Sequence, residues 1–253
     1  KKKEYFFRFK EKLGFFTKDR SKGKLIWFHG ASVGEFQSVL PLLEKLEKSK
    51  KISQILITTN TLSSSKIISK IKLKKISHQF FPIDNNLIVK RFIDHWRPSI
   101  ALFIDSEIWP NMLVNLSTQK IPIVLINARI TKKSYKRWNK IKNFSKIIFN
   151  KFNLCLSSNK ETVRFLKKLG AKKVKYFGNL KYSQSENEKI DIDNQTIKFI
   201  SKKTAWCASS THNSEEKFVG QVHNKLKKKY KNLLTVIIPR HIDRKDQIKN
   251  QLL

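Results

Sequence analysis

The residues that could do chemistry form four polar groups, and each group directly follows a short apolar run. The groups are His29 with Glu35, Glu107 with Asn111, Asn127 with Arg129, and Asn179 with Lys181. Carboxylates can take up protons, and Lys and Arg stabilise negative charge. The mixture therefore predicts a site that binds an anionic substrate and moves a proton.

The elements that position these groups alternate between strand and helix from residue 25 to residue 180. Strands are predicted at 25–28, 52–59, 77–82, 100–104, 121–126, 154–157 and 174–177, and helices at 36–46, 66–75, 84–96, 132–151 and 160–169, with a further helix that ends at Leu116. This alternation predicts an α/β fold in which a doubly wound parallel sheet has helices on both faces. Since ligands bind where such strands end and helices begin, the four polar groups are expected to converge on one crevice.

The turn between the first strand and the first helix has the sequence HGASVGE at 29–35. Small residues such as Ser32 and Gly34 let a ligand approach the backbone. Glu35 falls in the first helical turn, where the helix dipole favours a carboxylate. The same pattern also fits a tight turn whose acidic residue only stabilises the helix. Spacing alone leaves both interpretations open, because two glycines four residues apart are a weak signal.

A polar stretch at 183–197 is the predicted linker between an N-terminal domain at 1–182 and the start of a second domain at 198–253. The second domain repeats the alternation, with two strands and one helix predicted at 205–209, 233–238 and 214–230. Two strands cannot bury a doubly wound core on their own. The second domain is therefore expected to be incomplete in this chain.

The composition is strongly basic, with a formal net charge of +35. Only nine of the 54 basic residues are Arg, the residue that usually recognises phosphates and bases. A general Lys bias on solvated helix faces explains much of this charge, and the rest would draw the surface toward nucleic acid, anionic lipid or a phosphorylated glycolipid. The aromatic and basic residues at 1–16 fit an interfacial segment and, equally, a helix packed on the domain.

The sequence offers no sign of a metal centre or a membrane-spanning helix. Cys155 and Cys207 lie in apolar runs without metal-ligand spacing, and both are predicted to be reduced core thiols. No stretch reaches the roughly 18 apolar residues that span a bilayer. Because the cysteines lack metal-ligand spacing, the chain is expected to bind no metal.

Eight short motifs occur in an order and spacing that resemble one glycosyltransferase family. They are HGASVGE at 29–35, PID at 82–84, DSEIWPN at 105–111, IPIVLINARI at 121–130, LGA at 169–171, GNLKY at 178–182, STH at 210–212 and PRH at 239–241. Together they resemble the lipid A Kdo transferases, which are 3-deoxy-D-manno-octulosonic acid (Kdo) transferases with the GT-B fold. The resemblance extends from about residue 8 to the C-terminus, and the combination of motifs is highly specific.

The resemblance implies an inverting transfer of Kdo from CMP-Kdo to the lipid A precursor lipid IVA in lipopolysaccharide core biosynthesis, without a metal or other cofactor. It implies two Rossmann-like domains across a cleft, of which the N-terminal one receives the acceptor. The implied partners are CMP-Kdo, the lipid A precursor and an anionic membrane surface, and no nucleic acid is expected. The implied location is the cytoplasmic face of the bacterial inner membrane, with peripheral attachment or an N-terminal anchor outside this chain.

The resemblance also implies roles for individual residues. Glu35 matches the catalytic base, Glu107 a second essential carboxylate, and Lys181 a cation that stabilises the transition state, while Pro239 and Arg240 match a segment that contacts CMP. Together with polar residues at strand ends, the predicted substrate-binding set is Ser32, Gly34, Asn111, Arg129, Asn179, His212, Pro239 and Arg240. His29 ends a buried strand and is predicted to be a hydrogen-bonded structural residue.

Structural roles stay open beside these functional ones, because Glu107 could cap a helix and Lys181 could be a solvated lysine. Two other functions also stay open: a generic Rossmann nucleotide-binding protein and a basic nucleic-acid-binding protein. The sequence departs from the family pattern after the STH motif, where Asn213 and Ser214 precede the acidic pair. Most of the family's donor domain is missing, so we expect this chain to bind CMP-Kdo weakly and to turn over little.

Overall fold

The chain forms two compact units, Lys1–Glu188 (unit 1) and Lys189–Leu253 (unit 2), and each is described by itself. The structure is a computed structural model that describes residues 6–69, 71, 73–180 and 192–252. Within these ranges, no helix is long and apolar enough to span a membrane.

Unit 1 is built around a parallel sheet of seven strands. These are β1 Leu25–His29, β2 Gln54–Thr59, β3 Ile76–Phe80, β4 Ile100–Ile104, β5 Ile123–Ala128, β6 Leu154–Ser157 and β7 Val174–Tyr176. The spatial order is β3-β2-β1-β4-β5-β6-β7, and every neighbouring pair is parallel. The order therefore reverses between β1 and β4. In a doubly wound sheet, this reversal opens a ligand-binding crevice beyond the carboxyl ends of the two strands.

Helices cover both faces of this sheet, as the alternating pattern predicts. They are α1 Val33–Lys48, α2 Leu62–Ile68, α3 Asn86–Trp96, α4 Pro110–Thr118, α5 Lys132–Lys140, α6 Lys142–Phe149 and α7 Lys160–Leu169. Residues of α3, α4, α6 and α7 pack with Trp27 and Phe103 on one face, whereas α1 and α2 pack with Phe28 and Ile57 on the other. Each fully buried side chain of this size contributes about 1.5–3 kcal/mol. Successive residues of β1 thus pack into the two hydrophobic cores on opposite faces of the sheet.

Two helix predictions need correction. Helix α2 spans Leu62–Ile68 and not 66–75. The Thr61 hydroxyl accepts a hydrogen bond from the Ser64 main-chain N–H (3.3 Å) and starts the helix earlier than predicted, and the helix ends at Ile68. The single helix predicted at 132–151 is broken at Ile141, whose backbone angles (φ −112°, ψ 52°) are not helical. The break separates α5 from α6 and turns the chain between them.

The described part of the N-terminal segment packs on the domain, which was one of its two open interpretations. A 3-10 helix spans Phe6–Leu13 and contacts β3. Its Glu11 carboxylate is fully buried and accepts hydrogen bonds from the Arg8 guanidinium (2.6 and 2.8 Å), the Thr17 hydroxyl (2.6 Å) and the Phe80 N–H (2.8 Å). The buried charge is thus paired and hydrogen-bonded, as burial requires. Residues 1–5 lie outside the described ranges.

Lowering the pH from 7 to 5 is expected to destabilise unit 1 through His78. The neutral ring fits its partners, because Nδ1 accepts from Arg8 Nη2 (3.0 Å) and Nε2 donates to Thr59 Oγ1 (2.9 Å). Burial, and then the Arg8 charge, lower the pKa of His78 from 6.5 to about 4, against an opposing effect of Glu11. The unfolded chain therefore binds a proton that the folded chain does not, and stability falls as the pH drops from 6.5 toward 4, by at most about 3 kcal/mol.

Urea unfolding at pH 7, 6 and 5, followed by tryptophan fluorescence, measures this loss. The matched variant is His78→Gln, which keeps a hydrogen-bonding side chain and removes the titrating ring. Its unfolding free energy should change less between pH 7 and 5 than that of the parent chain. Equal pH dependence in the two proteins would show that His78 does not cause it.

The described residues of unit 2 form a pair of parallel strands and three α-helices. Its elements are α8 Asn194–Ser201, β8 Thr204–Thr211, α9 Glu215–Lys227, β9 Leu233–Pro239, a short 3-10 helix Ile242–Arg244 and α10 Lys245–Leu252. Helix α8 occupies the end of the predicted linker 183–197, because the Asp193 carboxylate caps it by accepting from the Thr196 N–H (2.8 Å). The linker is therefore shorter at its C-terminal end than predicted, and residues 183–191 lie outside the described ranges.

The two thiols differ in exposure, which corrects the prediction that both are core residues. Cys155 is fully buried in β6, and burial raises its pKa to about 12. Cys207 is exposed on β8, which belongs to the two-stranded sheet found among the described residues of unit 2. The two positions should therefore react at very different rates.

A thiol reagent such as 5,5′-dithiobis(2-nitrobenzoate) is expected to modify one Cys quickly in the native chain and the second only on unfolding. The thiolate is the reactive form, and both burial and a raised pKa suppress it at Cys155. Peptide mapping after brief modification at pH 8 identifies the labelled site. Fast labelling of Cys155, or retention of fast labelling in Cys207→Ser, would contradict this assignment.

Candidate active site

Glu35 is fixed at the start of α1, on the turn that follows β1. Its carboxylate accepts hydrogen bonds from the Ala31 N–H (2.7 Å) and the Ser32 hydroxyl (2.6 Å), and Ser32 Oγ in turn faces the Glu35 N–H (3.3 Å). Ser32 is the N-cap, and the arrangement resembles a capping box, except that Glu35 accepts from the N–H of Ala31, the residue before the N-cap. A carboxylate has about four acceptor positions, so these two bonds leave room for a proton from a substrate. The geometry fits both open interpretations of Glu35.

The backbone beside Glu35 is close to its neighbours at Gly30. A Cβ atom at this position would lie 3.1 Å from Glu35 Oε2, 3.1 Å from the Phe36 ring and 3.2 Å from Ile104 Cδ1. A side chain here would therefore push on the carboxylate itself. The predicted binding residue Gly34 lies within the first turn of α1, directly before Glu35.

Glu107 follows β4 and is held by two hydrogen bonds to one oxygen. His29 Nε2 donates to Glu107 Oε2 (3.0 Å), and Trp109 Nε1 donates to the same atom (2.8 Å). The Glu107 side chain is 15% exposed, whereas the His29 side chain is fully buried. One edge of the carboxylate is thus available to a ligand while the other is anchored in the protein.

Opposing effects act on the pKa of Glu107. Burial is the largest and raises the pKa, but the hydrogen bond and charge of His29 and the hydrogen bond of Trp109 together bring it below its usual value. Glu107 is therefore ionised at neutral pH. An ionised, partly buried carboxylate with fixed geometry is suited to orient or stabilise a cationic or hydroxyl group of a substrate.

His29 extends the support of Glu107 into the core. Its Nδ1 faces Thr58 Oγ1 (3.0 Å) and the Thr58 main-chain oxygen (3.2 Å), and the buried indole of Trp27 donates to Thr58 Oγ1 (2.9 Å). The His29 ring also stacks on Phe81, with 3.8 Å between ring centroids. The prediction that His29 is a buried, hydrogen-bonded residue is confirmed. Thr58 and Trp27 were not predicted, because a Thr and a Trp within buried strands give no sequence signal of such a network.

The carboxylates of Glu35 and Glu107 are hydrogen-bonded to two residues that lie only two positions apart in the chain. Glu107 is bound to His29, the last residue of β1, and Glu35 is bound to Ala31 in the turn that follows. Helices α1 and α4 then continue on opposite faces of the sheet. The two carboxylates therefore flank the switch point between β1 and β4, where a doubly wound sheet places its ligands.

The ends of β4 and β5 adopt backbone conformations that are uncommon for residues other than Gly. Asp105 has φ 62° and Asn127 has φ 50°. Both are residue types that tolerate the left-handed region. The Asn127 side chain accepts from the Leu180 N–H (3.2 Å), which places the predicted residue Asn179 close to the end of β5. Lys181 lies outside the described residues.

Arg129 and Asn111 differ in how they are held. Arg129 is exposed, and its N–H donates to the Asp105 carbonyl (3.3 Å), while no hydrogen bond from its guanidinium reaches any residue that the structure describes. The Asn111 side chain donates to the Asp84 carbonyl (2.6 Å), and the Asp84 carboxylate caps α4 through the N–H groups of Asn111 (3.1 Å) and Met112 (2.8 Å). These contacts give Asn111 a structural role, and its predicted binding role stays a prediction.

In unit 2, the STH and PRH motifs lie side by side at the ends of β8 and β9. Thr211 pairs with Pro239, and the Arg240 N–H donates to the Thr211 carbonyl (3.0 Å). His212 and Arg240 are both exposed. Helix α9 begins at Glu215, one residue after the predicted start at 214; the Glu215 carboxylate accepts from the His212 N–H (2.8 Å), and the Ser214 side chain makes no cap bond.

A buried ion pair fixes the turn between β8 and α9. The Arg244 guanidinium donates to both oxygens of Glu216 (3.0 and 3.1 Å), and the Thr211 hydroxyl donates to one of them (2.9 Å). The Arg244 hydrogen bond is the main cause that lowers the pKa of Glu216, against the effect of burial. Arg244 was not predicted from the sequence. It supports the segment that carries His212.

Groups of three or more His, Cys, Asp or Glu side chains that could hold a metal do not occur among the described residues. Residues 7–184 match the family described as 3-deoxy-D-manno-octulosonic-acid transferase (kdotransferase). The chain belongs to this Kdo transferase family. The match covers all of the described sheet of unit 1 and includes both carboxylates at the switch point.

Several relatives carry the same description. A probable mitochondrial Kdo transferase of Arabidopsis thaliana is 32% identical over 98% of this chain and 58% of its own length. The Kdo transferases of Rickettsia prowazekii (33% identical, 89% of this chain, 49% of its own) and Haemophilus influenzae (30%, 87%, 52%) are similar. The chain thus spans about half the length of the curated relatives it matches.

Solved structures with low sequence identity share the fold. The UDP-GlcNAc 2-epimerase of Neisseria meningitidis, bound to UDP-GlcNAc, matches with a TM-score of 0.61 at 16% identity, over 90% of this chain and 69% of its own. The UDP co-structure of MnaA from S. aureus matches with a TM-score of 0.59 at 16% identity, over 91% and 66%. The fold class is therefore α/β of the GT-B type, as the sequence predicts.

Proposed function

We propose that this protein acts in the transfer of Kdo from CMP-Kdo to a lipid A precursor such as lipid IVA. Membership of the Kdo transferase family supports a sugar-nucleotide donor and a glycolipid acceptor. The observation that carries the proposal is the pair of anchored carboxylates, Glu35 and Glu107, at the β1–β4 switch point of unit 1.

In the proposed reaction, a hydroxyl of the acceptor attacks the anomeric carbon of Kdo. Glu35 takes up the hydroxyl proton, the bond to the CMP phosphate breaks, and the configuration at the anomeric carbon inverts. Glu107 holds the acceptor or the sugar in line through the exposed edge of its carboxylate. No metal and no other cofactor takes part in this scheme.

Cations offset the negative charge that develops on the departing phosphate. We assign this role to Lys181 and Arg240, each of which would contribute on the order of 2–4 kcal/mol to transition-state stabilisation. Arg240 and His212 lie together at the strand ends of unit 2, in keeping with a donor-binding role. Ser32, Gly34, Asn111, Arg129 and Asn179 are proposed to contact substrate in unit 1. The reaction would take place at the cytoplasmic face of the bacterial inner membrane.

The test is transfer in vitro, with mass spectrometry of the glycolipid product. Because the chain spans about half of its relatives, the assay uses the 253-residue chain alone and a chimera completed with the remaining part of the Haemophilus influenzae relative. We expect a product heavier by Kdo in the chimera and little or none with the chain alone. A chimera that folds and binds CMP-Kdo but forms no product would refute the proposal. Steeply salt-dependent DNA or RNA binding by the chain, without glycolipid binding, would favour a nucleic-acid-binding protein.

A further inference from the structure

The helix pair α5–α6 combines basic and exposed apolar side chains in one short segment. Residues 131–151 contain eight Lys or Arg and no Asp or Glu. In the middle of this segment, Ile141, Phe144 and Ile147 are 50%, 44% and 57% exposed. Large apolar side chains this exposed and this close together mark an interaction surface when basic residues surround them.

The three apolar residues form one stripe. Phe144 and Ile147 are three residues apart within α6 and are therefore neighbours on its surface, and Ile141 is the exposed residue at the break directly before this helix. The adjacent side of α6 carries Ser145, Ile148 and Phe149, which are buried in the core. The stripe is therefore not part of the core that holds the helix in place.

The basic residues around this stripe are solvent-exposed. Lys132, Lys133, Lys136, Arg137, Lys140, Lys142 and Lys146 are all exposed. Within the described ranges, none of them forms a salt bridge. Their charge is therefore available to an anionic partner.

The helix pair packs on the rest of unit 1. The Tyr135 ring of α5 stacks on Phe165 of α7 (4.4 Å between centroids), and Ile148 and Phe149 of α6 are buried in the core. Helix α5 also starts directly after β5, at the same edge of the sheet as Arg129 and the switch point. A surface bound through α5–α6 would thus lie beside the candidate active site.

We propose that α5–α6 docks unit 1 on an anionic lipid membrane, with Ile141, Phe144 and Ile147 embedded at the headgroup level and the lysines on the lipid phosphates. A basic helix with an apolar stripe binds such a surface both by burying its apolar side chains and by attracting the lipid phosphates. A polyanion such as DNA would leave the apolar stripe in water. The inference rests on the membrane location in the proposed function. Vesicle binding without substrate tests it separately from transfer.

The experiment is co-sedimentation of the 253-residue chain with vesicles of pure phosphatidylcholine or with 30% phosphatidylglycerol. We expect binding to the anionic vesicles and little to the neutral ones. The variant Ile141→Ser/Phe144→Ser/Ile147→Ser should reduce partitioning at least about tenfold. Reversing three charges, Lys136→Glu/Lys140→Glu/Lys142→Glu, should reduce it about a hundredfold or more, since each basic residue contributes about fivefold.

Matched controls separate this surface from the general basic character of the chain. Lys45→Glu/Lys48→Glu/Lys50→Glu makes the same charge change on and after α1, which packs on the opposite face of the sheet. Ile83→Ser/Leu87→Ser/Val114→Ser removes three exposed apolar residues elsewhere in unit 1. Both controls should change partitioning less than about threefold. Equal losses in the controls and the α5–α6 variants, or no loss in the latter, would overturn the proposal.

Two further measurements cover the remaining outcomes. If binding to a 20-base-pair DNA falls as much as vesicle binding in the apolar variant, the surface binds polyanions in general and the membrane assignment is wrong. Hydrogen exchange on the unaltered chain requires no variant to fold. Amides of residues 132–149 should be protected by anionic vesicles, and unchanged exchange there would also overturn the proposal.

Discussion

Replacing Glu35 with Gln is expected to lower kcat for Kdo transfer by about a hundredfold to ten-thousandfold in the completed chimera. A positioned general base contributes this much, and an amide cannot take up the proton of the attacking hydroxyl. KM for the acceptor should change little, because the side chain keeps its size and can still accept from Ala31 or Ser32. Steady-state kinetics with varied acceptor concentration measure the two constants.

The control for this variant is a helix cap outside the site. Asn85 caps α3 by accepting from the Leu87 N–H (3.0 Å), as Ser32 and Glu35 cap α1. Asn85→Ala should cost about 0.5–2 kcal/mol of stability, with kcat unchanged at a temperature where the chimera stays folded. If Glu35→Gln loses only stability and keeps its kcat, Glu35 is a capping residue and not the base.

Replacing Glu107 with Gln is expected to lower kcat about a hundredfold to a thousandfold, the effect typical of one lost electrostatic contact in an active site. The Gln oxygen can still accept from His29 and Trp109, so the variant removes the charge and keeps the network. A circular dichroism melt within a few degrees of the parent would show that the loss is not one of folding. Unchanged kcat would limit Glu107 to a structural role as the acceptor of the His29 and Trp109 hydrogen bonds, since Asp84 and not Glu107 caps α4.

The pH profile distinguishes a positioning role of His29 from a purely structural one. In the parent, His29 and Trp109 hold the pKa of Glu107 below its usual value. In His29→Leu, burial acts on Glu107 without the His29 hydrogen bond, so its pKa should rise. The acidic limb of kcat/KM should then shift to higher pH, because Glu107 becomes protonated earlier as the pH falls. Loss of stability without such a shift would contradict the positioning role.

The sequence predicts the architecture of unit 1 well, because its strands are short apolar runs bounded by turns. The predicted strand 100–104 coincides with β4, and 160–169 coincides with α7. Helix α2 was misplaced because its first turn is made of Ser residues, which favour loops by composition. One Thr hydroxyl is enough to start a helix there once tertiary packing supports it. The break at Ile141 could not be predicted, because no Gly or Pro lies near it in the sequence.

The sequence predicts that the candidate site residues lie at the ends of the strands, but it does not predict their hydrogen-bond partners. Polar residues after strands β1, β4 and β5 follow from the rule that parallel strands end at one edge. The partner of Glu107 does not follow, since His29 lies 78 residues earlier and only the pairing of β1 with β4 brings the two together. The same holds for Arg244 and Glu216 in unit 2, 28 residues apart. Long-range contacts of this kind need the register of the sheet.

The line of contacts from Trp27 through Thr58 and His29 to Glu107 links the interior to the ligand edge. Its evolutionary consequence is that three interior positions are constrained by more than shape. A substitution such as Thr58→Val fills the same space but removes the hydroxyl that hydrogen-bonds to Trp27 and His29. Homologues in which one of these three residues is replaced should therefore have replacements at the other two as well. Selection for the function of Glu107 should thus constrain buried residues that do not contact a substrate.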